Sequence, residues 1–151
     1  MVQKKIQAPI EDLLNCSAEQ HNTAENLIFG QGETILLADN NTNLLKLGRS
    51  LLTKLNYRVV TAHNETQVLE QCLTSDQKID LLILDTDIPQ RQGENILSKI
   101  SPCQPQLKAL FYTVCDWLTD LDCRKKIGHI PVMAKPYSIS EFSRIIDQTL
   151  H

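Results

Sequence analysis

A chain of 151 residues is long enough for one ordinary domain and short for two. With 42% hydrophobic residues, 22% charged residues and a net charge of -3, it lacks the basic stripe that nucleic-acid binding usually needs. No apolar run approaches the roughly 20 residues of a membrane span, and the start, Met1-Val-Gln-Lys-Lys, lacks the apolar core of a signal peptide. The expectation is a cytoplasmic protein without nucleic-acid or membrane contacts.

Residues 1–32 differ from the rest of the chain. They carry one weakly amphipathic stretch at 10–14, then a polar run at 17–25, then Phe29-Gly-Gln-Gly. This reads as an N-terminal extension or linker without chemistry of its own. The five cysteines (Cys16, Cys72, Cys103, Cys115, Cys123) are scattered, with no CxxC pair and no histidine at zinc-finger spacing. They read as reduced thiols, some of them small core residues.

From Glu33 a regular alternation begins. Residues 34–38 form a short apolar strand that ends in Asp39-Asn-Asn-Thr-Asn, a polar turn rich in helix-capping types. Leu44, Leu45, Leu47, Leu51, Leu52 and Leu55 then recur at helical spacing, which predicts a helix over 43–55. Asn56 is its expected left-handed stop, because Asn tolerates positive φ better than most residues. Residues 57–62 form a second strand. Asn64 caps a helix over 65–74, with Val68, Leu69, Cys72 and Leu73 on the inner face.

Residues 79–84 are almost uninterrupted Leu and Ile, too short for a free-standing helix and suited to a strand buried on both faces of a parallel sheet. Asp85 stands where that strand ends, and Pro89 and Gly93 break the chain into a loop. A helix over 94–100 is stopped by Ser101-Pro102, and 107–113 is a fourth strand ending in a hydroxyl residue. A weakly patterned helix is expected over 116–127, with Trp117 as a packing residue. A fifth strand over 130–134 leads to Lys135-Pro136, and Ser138 caps a last helix over 139–150 with Phe142, Ile145, Ile146 and Leu150 inward.

Strands alternating with helices imply a parallel sheet covered on both faces. In open sheets of this kind the ligand site lies beyond the carboxyl ends of the strands. The polar residues at those ends are Asp39 with Asn40, Asp85, Thr113 and Lys135, and they should meet at one edge. Carboxylates with an amide oxygen nearby make a hard-oxygen site suited to Mg²⁺. A lysine is a point charge for a phosphoryl group, a threonine hydroxyl can donate to one, and an aspartate can accept one. No Ser or Cys nucleophile is paired with a His base. The four histidines (His21, His63, His129, His151) show no ligand-set spacing and read as surface or loop residues.

Residues 33–151 resemble the receiver domain of two-component response regulators. The resemblance rests on Ile35-Leu-Leu-Ala-Asp39-Asn40-Asn41, on the stretch from Leu81 through Asp85 and Pro89 to Gly93, on Leu110-Phe-Tyr-Thr113-Val, and on Val132-Met-Ala-Lys135-Pro136-Tyr137. The intervals from Asp39 to Asp85, Asp85 to Thr113 and Thr113 to Lys135 are 46, 28 and 22 residues. The resemblance implies a flavodoxin-like (CheY-like), doubly wound, five-stranded sheet of order 2-1-3-4-5 with helices on both faces. It also implies that Asp85 accepts a phosphoryl group from a sensor histidine kinase or a histidine phosphotransfer protein. Asp39, Asn40, Asp85 and the backbone carbonyl of Asp87 would hold Mg²⁺, while Thr113 and Lys135 would contact the phosphoryl oxygens. A linker-like segment before Glu33, with no output domain after His151, fits the receiver of a hybrid sensor kinase; a stand-alone regulator and a homodimer are the other arrangements left open.

Three departures bear on this. Asn40 stands where the family has a second acid, so weaker metal binding is expected. Val114 follows the threonine where a small residue is usual. Val132 replaces the aromatic residue that usually rotates with the threonine, and neither Tyr112 nor Tyr137 occupies that position. Asn40 and Val132 motivate the alternative of a degenerate receiver that acts as a phosphate-independent interaction module. Asp85-Thr-Asp87 also resembles the DxD nucleophile of haloacid-dehalogenase-type phosphatases. In those enzymes the motif opens the fold and an acidic pair follows the lysine; here the acidic turn comes first, so no enzyme is expected.

Overall fold

The computed structural model describes residues 26–85, 88, 93–114, 130–135 and 138–151. Five strands, β1 (Thr34–Ala38), β2 (Arg58–Ala62), β3 (Leu81–Asp85), β4 (Lys108–Val114) and β5 (Val132–Lys135), alternate with helices α1 (Thr42–Lys54), α2 (Glu65–Leu73), α3 (Gly93–Ile100) and α4 (Ile139–Leu150). The strands make one parallel sheet of order β2-β1-β3-β4-β5, as the resemblance implied. The helix expected over 116–127, and Trp117 within it, lie outside the described residues. Among the described residues no helix is long and apolar enough to cross a membrane.

The leucine-rich runs of β1 and β3 are buried along their whole length, because each has a strand on either side and helices cover both faces. Alternation divides their side chains between two cores. Ile35, Leu37, Leu81, Ile83, Leu110 and Met133 face α1 and α4, meeting Leu45, Leu52, Phe142, Ile146 and Leu150. Leu36, Leu82, Leu84 and Phe111 face α2 and α3, meeting Val68, Cys72, Ile96 and Ile100. Gly48 lets α1 lie close on β1, since a Cβ there would press on the Leu37 side chain. Cys72 is a buried free thiol whose pKa burial pushes up to about 11, and Cys103 is free and exposed.

Local signals act where the sequence puts them. Asn41 caps α1 by accepting hydrogen bonds from the Asn43 and Leu44 amides at 3.0 and 3.2 Å. Asn64 caps α2 through the Gln67 amide at 2.9 Å. Ser138 and Glu141 form a reciprocal capping box at the start of α4. Asn56 has a φ of 72°, the left-handed turn that ends the first helix. One expectation for α2 is corrected: Leu73, placed on its inner face by periodicity, is 40% exposed. It is the last residue of the helix, and Thr74 caps the end.

The residues just before β1 lie against the domain. Leu27 packs on the α1/α4 core, and the Ile28 amide donates to Ser143 Oγ of α4 at 3.2 Å. The Gly30 amide donates to the Leu55 carbonyl at 2.7 Å, and Asn56 Nδ2 donates to the Gly30 carbonyl at 2.7 Å.

Candidate functional site

Asp39 directly follows β1 and Asp85 is the last residue of β3, its neighbour in the sheet. The register pairs Ala38 with Leu84, so the two aspartates stand side by side at the carboxyl edge. By the alternation of Leu37/Asp39 and Ile83/Asp85 they share the α1/α4 face. Asp39 is fully buried and Asp85 is 3% exposed. Aspartates are seldom buried this deeply unless paired or hydrogen-bonded.

The surroundings of Asp39 show how it is held. Its Oδ1 accepts from the Asn41 backbone amide at 2.8 Å, a contact made inside the turn that starts α1. Its Oδ2 accepts from the Tyr112 hydroxyl at 2.6 Å. Asn40, in contrast, is exposed. On the far side, Thr113 in β4 is in register with Ala134, and Val114 with Lys135, so the backbones of both expected phosphoryl-contacting residues end at the same edge as Asp85. Asp87 lies outside the described residues. Ile88 packs against the α2/α3 core, with its amide donating to the Asp85 carbonyl at 3.1 Å.

Two buried carboxylates on adjacent strands match what Mg²⁺ usually takes from a protein, one or two carboxylates with water and phosphate completing the shell. Among the described residues no group of three or more His, Cys, Asp or Glu comes together, here or elsewhere, so the described carboxylates at this edge are a pair.

The family model of the response regulator receiver domain matches residues 35–147. The chain belongs to the response regulator receiver domain family. The receiver is 25% identical over 118 residues to sporulation initiation phosphotransferase F of Bacillus subtilis, an alignment covering 78% of this chain and 94% of that protein. It is 28% identical to transcriptional regulatory protein GlrR of Escherichia coli, covering 77% of this chain and 26% of that protein, so it spans about a quarter of the length of that regulator. Among solved structures, a receiver domain protein of Clostridium thermocellum matches with a TM-score of 0.67 at 24% identity, over 78% of this chain and 94% of the other. The receiver domain of an HD domain-containing protein of Pseudomonas fluorescens matches with a TM-score of 0.67 at 27% identity, over 80% and 95%. Receivers are signalling phosphoacceptors of two-component systems and not classical enzymes.

Tyr112 is the residue at the receiver's site that sequence reasoning misses, since the sequence shows only that it does not occupy the place of the missing aromatic residue on β5. Its register partner is Asp85, and its place two residues after Leu110 puts it on the face of the two aspartates. That period-two pattern is the one signal for it in the sequence. That its hydroxyl ends on β1, past the strand that carries Asp85, follows only from the sheet order.

Proposed function

We propose that the chain is a phosphoacceptor receiver in which Asp85 takes a phosphoryl group from the histidine of a sensor kinase or a histidine phosphotransfer protein. The observation that carries this reading is the pair of buried carboxylates, Asp39 and Asp85, side by side at the carboxyl edge of a receiver-family sheet. A relative covered over 94% of its length is named as a phosphotransferase, which supports phosphoryl transfer. The domain occupies residues 33–151, preceded by an extension over 1–32, and works in the cytoplasm.

In this reading a carboxylate oxygen of Asp85 bonds to phosphorus as the phosphorus–nitrogen bond of the donor breaks. The imidazole nitrogen leaves with the electron pair and takes a proton from solvent, and Asp85 becomes an acyl phosphate. Thr113 donates its hydroxyl hydrogen to one phosphoryl oxygen, and the Lys135 ammonium pairs with another. Asp39, Asn40, Asp85 and the Asp87 carbonyl are the groups proposed to hold Mg²⁺. When bound, that ion supplies neutralising charge at the phosphoryl oxygens. The dry floor of aliphatic side chains under Asp85 strengthens each of these charge interactions.

The test is the intact mass of the protein after incubation with acetyl phosphate and Mg²⁺, with Asp85→Ala alongside. One added phosphoryl group on the parent alone is the expected result. A second reading, a phosphate-independent interaction module, is favoured by the exposed Asn40 in place of an acid. No adduct on either the parent or Asn40→Asp would favour that module.

A further inference from the structure

Tyr112 is 5% exposed, and its ring is part of the core between the sheet and the α1/α4 layer. It belongs to β4, while the carboxylate that accepts its hydrogen bond follows β1. Strand β3 lies between those two in the sheet, and the residue of β3 in register with Tyr112 is Asp85. The phenol therefore runs past the base of the acceptor aspartate to reach Asp39. At 2.6 Å the contact is at the short end of O–H···O hydrogen bonds. The Ala38 carbonyl lies 3.4 Å from the same hydroxyl, and a phenol has one proton, so the nearer carboxylate oxygen takes it.

With the Asn41 amide on Oδ1 at 2.8 Å, each oxygen of Asp39 has its own donor. One donor is backbone and the other is anchored by a packed ring. Two fixed donors set both the torsion and the plane of the carboxylate. The neighbouring position contributes an exposed amide and no charge, so more of the binding energy for a cation falls on Asp39.

We infer that Tyr112 is a positioning residue for divalent-cation binding: its hydroxyl holds the Asp39 carboxylate in the orientation that the ion needs. The inference rests on the receiver reading of the Asp39/Asp85 site and adds to it a residue acting through Asp39. Hydrogen-bond partners of this kind usually matter by 10- to 100-fold in metal affinity.

The test is Mg²⁺ binding by titration calorimetry on the full chain, with no phosphoryl donor present, for the parent, Tyr112→Phe, Asp39→Ala and the double variant. Tyr112→Phe keeps the ring and its packing and removes only the donor. A Mg²⁺ Kd about tenfold or more weaker in Tyr112→Phe is expected, with the same substitution having no further effect once Asp39 is Ala. The circular dichroism spectrum of Tyr112→Phe in EDTA is expected to match the parent's, which separates positioning from a general loss of structure, while its thermal midpoint falls because a buried carboxylate oxygen loses its donor. An unchanged Kd in Tyr112→Phe overturns the inference and leaves the receiver reading standing. An equal loss with and without the Asp39 carboxylate also overturns it, since the tyrosine would then not act through that group. A parent that binds no Mg²⁺ overturns both.

Discussion

At the scale of single residues, the site differs from the family pattern most at Asn40. An amide oxygen can ligate a hard cation, but it carries a dipole where a carboxylate carries a full charge. Asn40→Asp would place a third carboxylate beside two that are already buried. Two consequences of opposite sign follow. The added charge attracts Mg²⁺, so the Kd measured by titration calorimetry should tighten about tenfold, the equivalent of roughly 1.4 kcal/mol. In EDTA the same charge repels Asp39 and Asp85, so the urea midpoint should fall below the parent's. A variant that binds Mg²⁺ no better than the parent would mean that position 40 does not face the ion. Asp39 and Asp85 were legible because an acid at the end of an apolar strand is a local signal. Tyr112 was not, because its bond to Asp39 joins residues 73 apart in the chain and depends on which strands become neighbours.

At the scale of elements, capping residues and hydrophobic periods located the described helices and strands to within a residue or two. Asn41, Asn64, Asn56 and Ser138 act as their types suggest. Composition was a poorer guide just before β1. Phe29-Gly-Gln-Gly reads as flexible punctuation, and Phe29 is indeed 55% exposed, yet Gly30 is buried against the Tyr57 ring. A glycine signals a turn and a close approach equally well, and only the tertiary neighbour decides between them. The segment is tied at two points, with Gly30 bonded to the end of α1 and Ile28 to α4. A Cβ at position 30 would overlap buried atoms of the Tyr57 ring, which has no room to swing away. Gly30→Ala should therefore destabilise the domain by about 1–3 kcal/mol, the usual cost of forcing a methyl into a packed site. Urea denaturation followed by circular dichroism reads this directly. Because Gly30 is far from Asp39 and Asp85 in the fold, Mg²⁺ affinity should not move with it. An unchanged urea midpoint would show that the segment yields without cost.

At the scale of the whole molecule, Tyr57 is where three parts of the chain converge, and it sets a limit on alkaline stability. Its amide bonds to the Leu52 carbonyl of α1 at 3.0 Å, and its ring joins the α1/α4 core. Burial first, then the charges of Glu33 before β1 and Asp147 on α4, push its pKa up from 10.0 to about 12. Each of these acts by disfavouring the phenolate in the folded protein. In the unfolded chain the phenol ionises near its ordinary value, so between about pH 10 and about pH 12 the folded state holds a proton that the unfolded state has lost. Stability falls with rising pH wherever the native state binds more protons. The contribution is thus intact below about pH 10 and is lost as the pH climbs through the folded value. One such proton steepens the decline by at most about 1.4 kcal/mol per pH unit. Tyr57→Phe removes the ionisable group and keeps the ring that fills the core. Its urea midpoint should run parallel to the parent's at neutral pH and fall less steeply above about pH 10. Parallel curves across the whole alkaline range would mean that the phenol ionises without leaving its place, and that neither burial nor the two carboxylates hold it neutral.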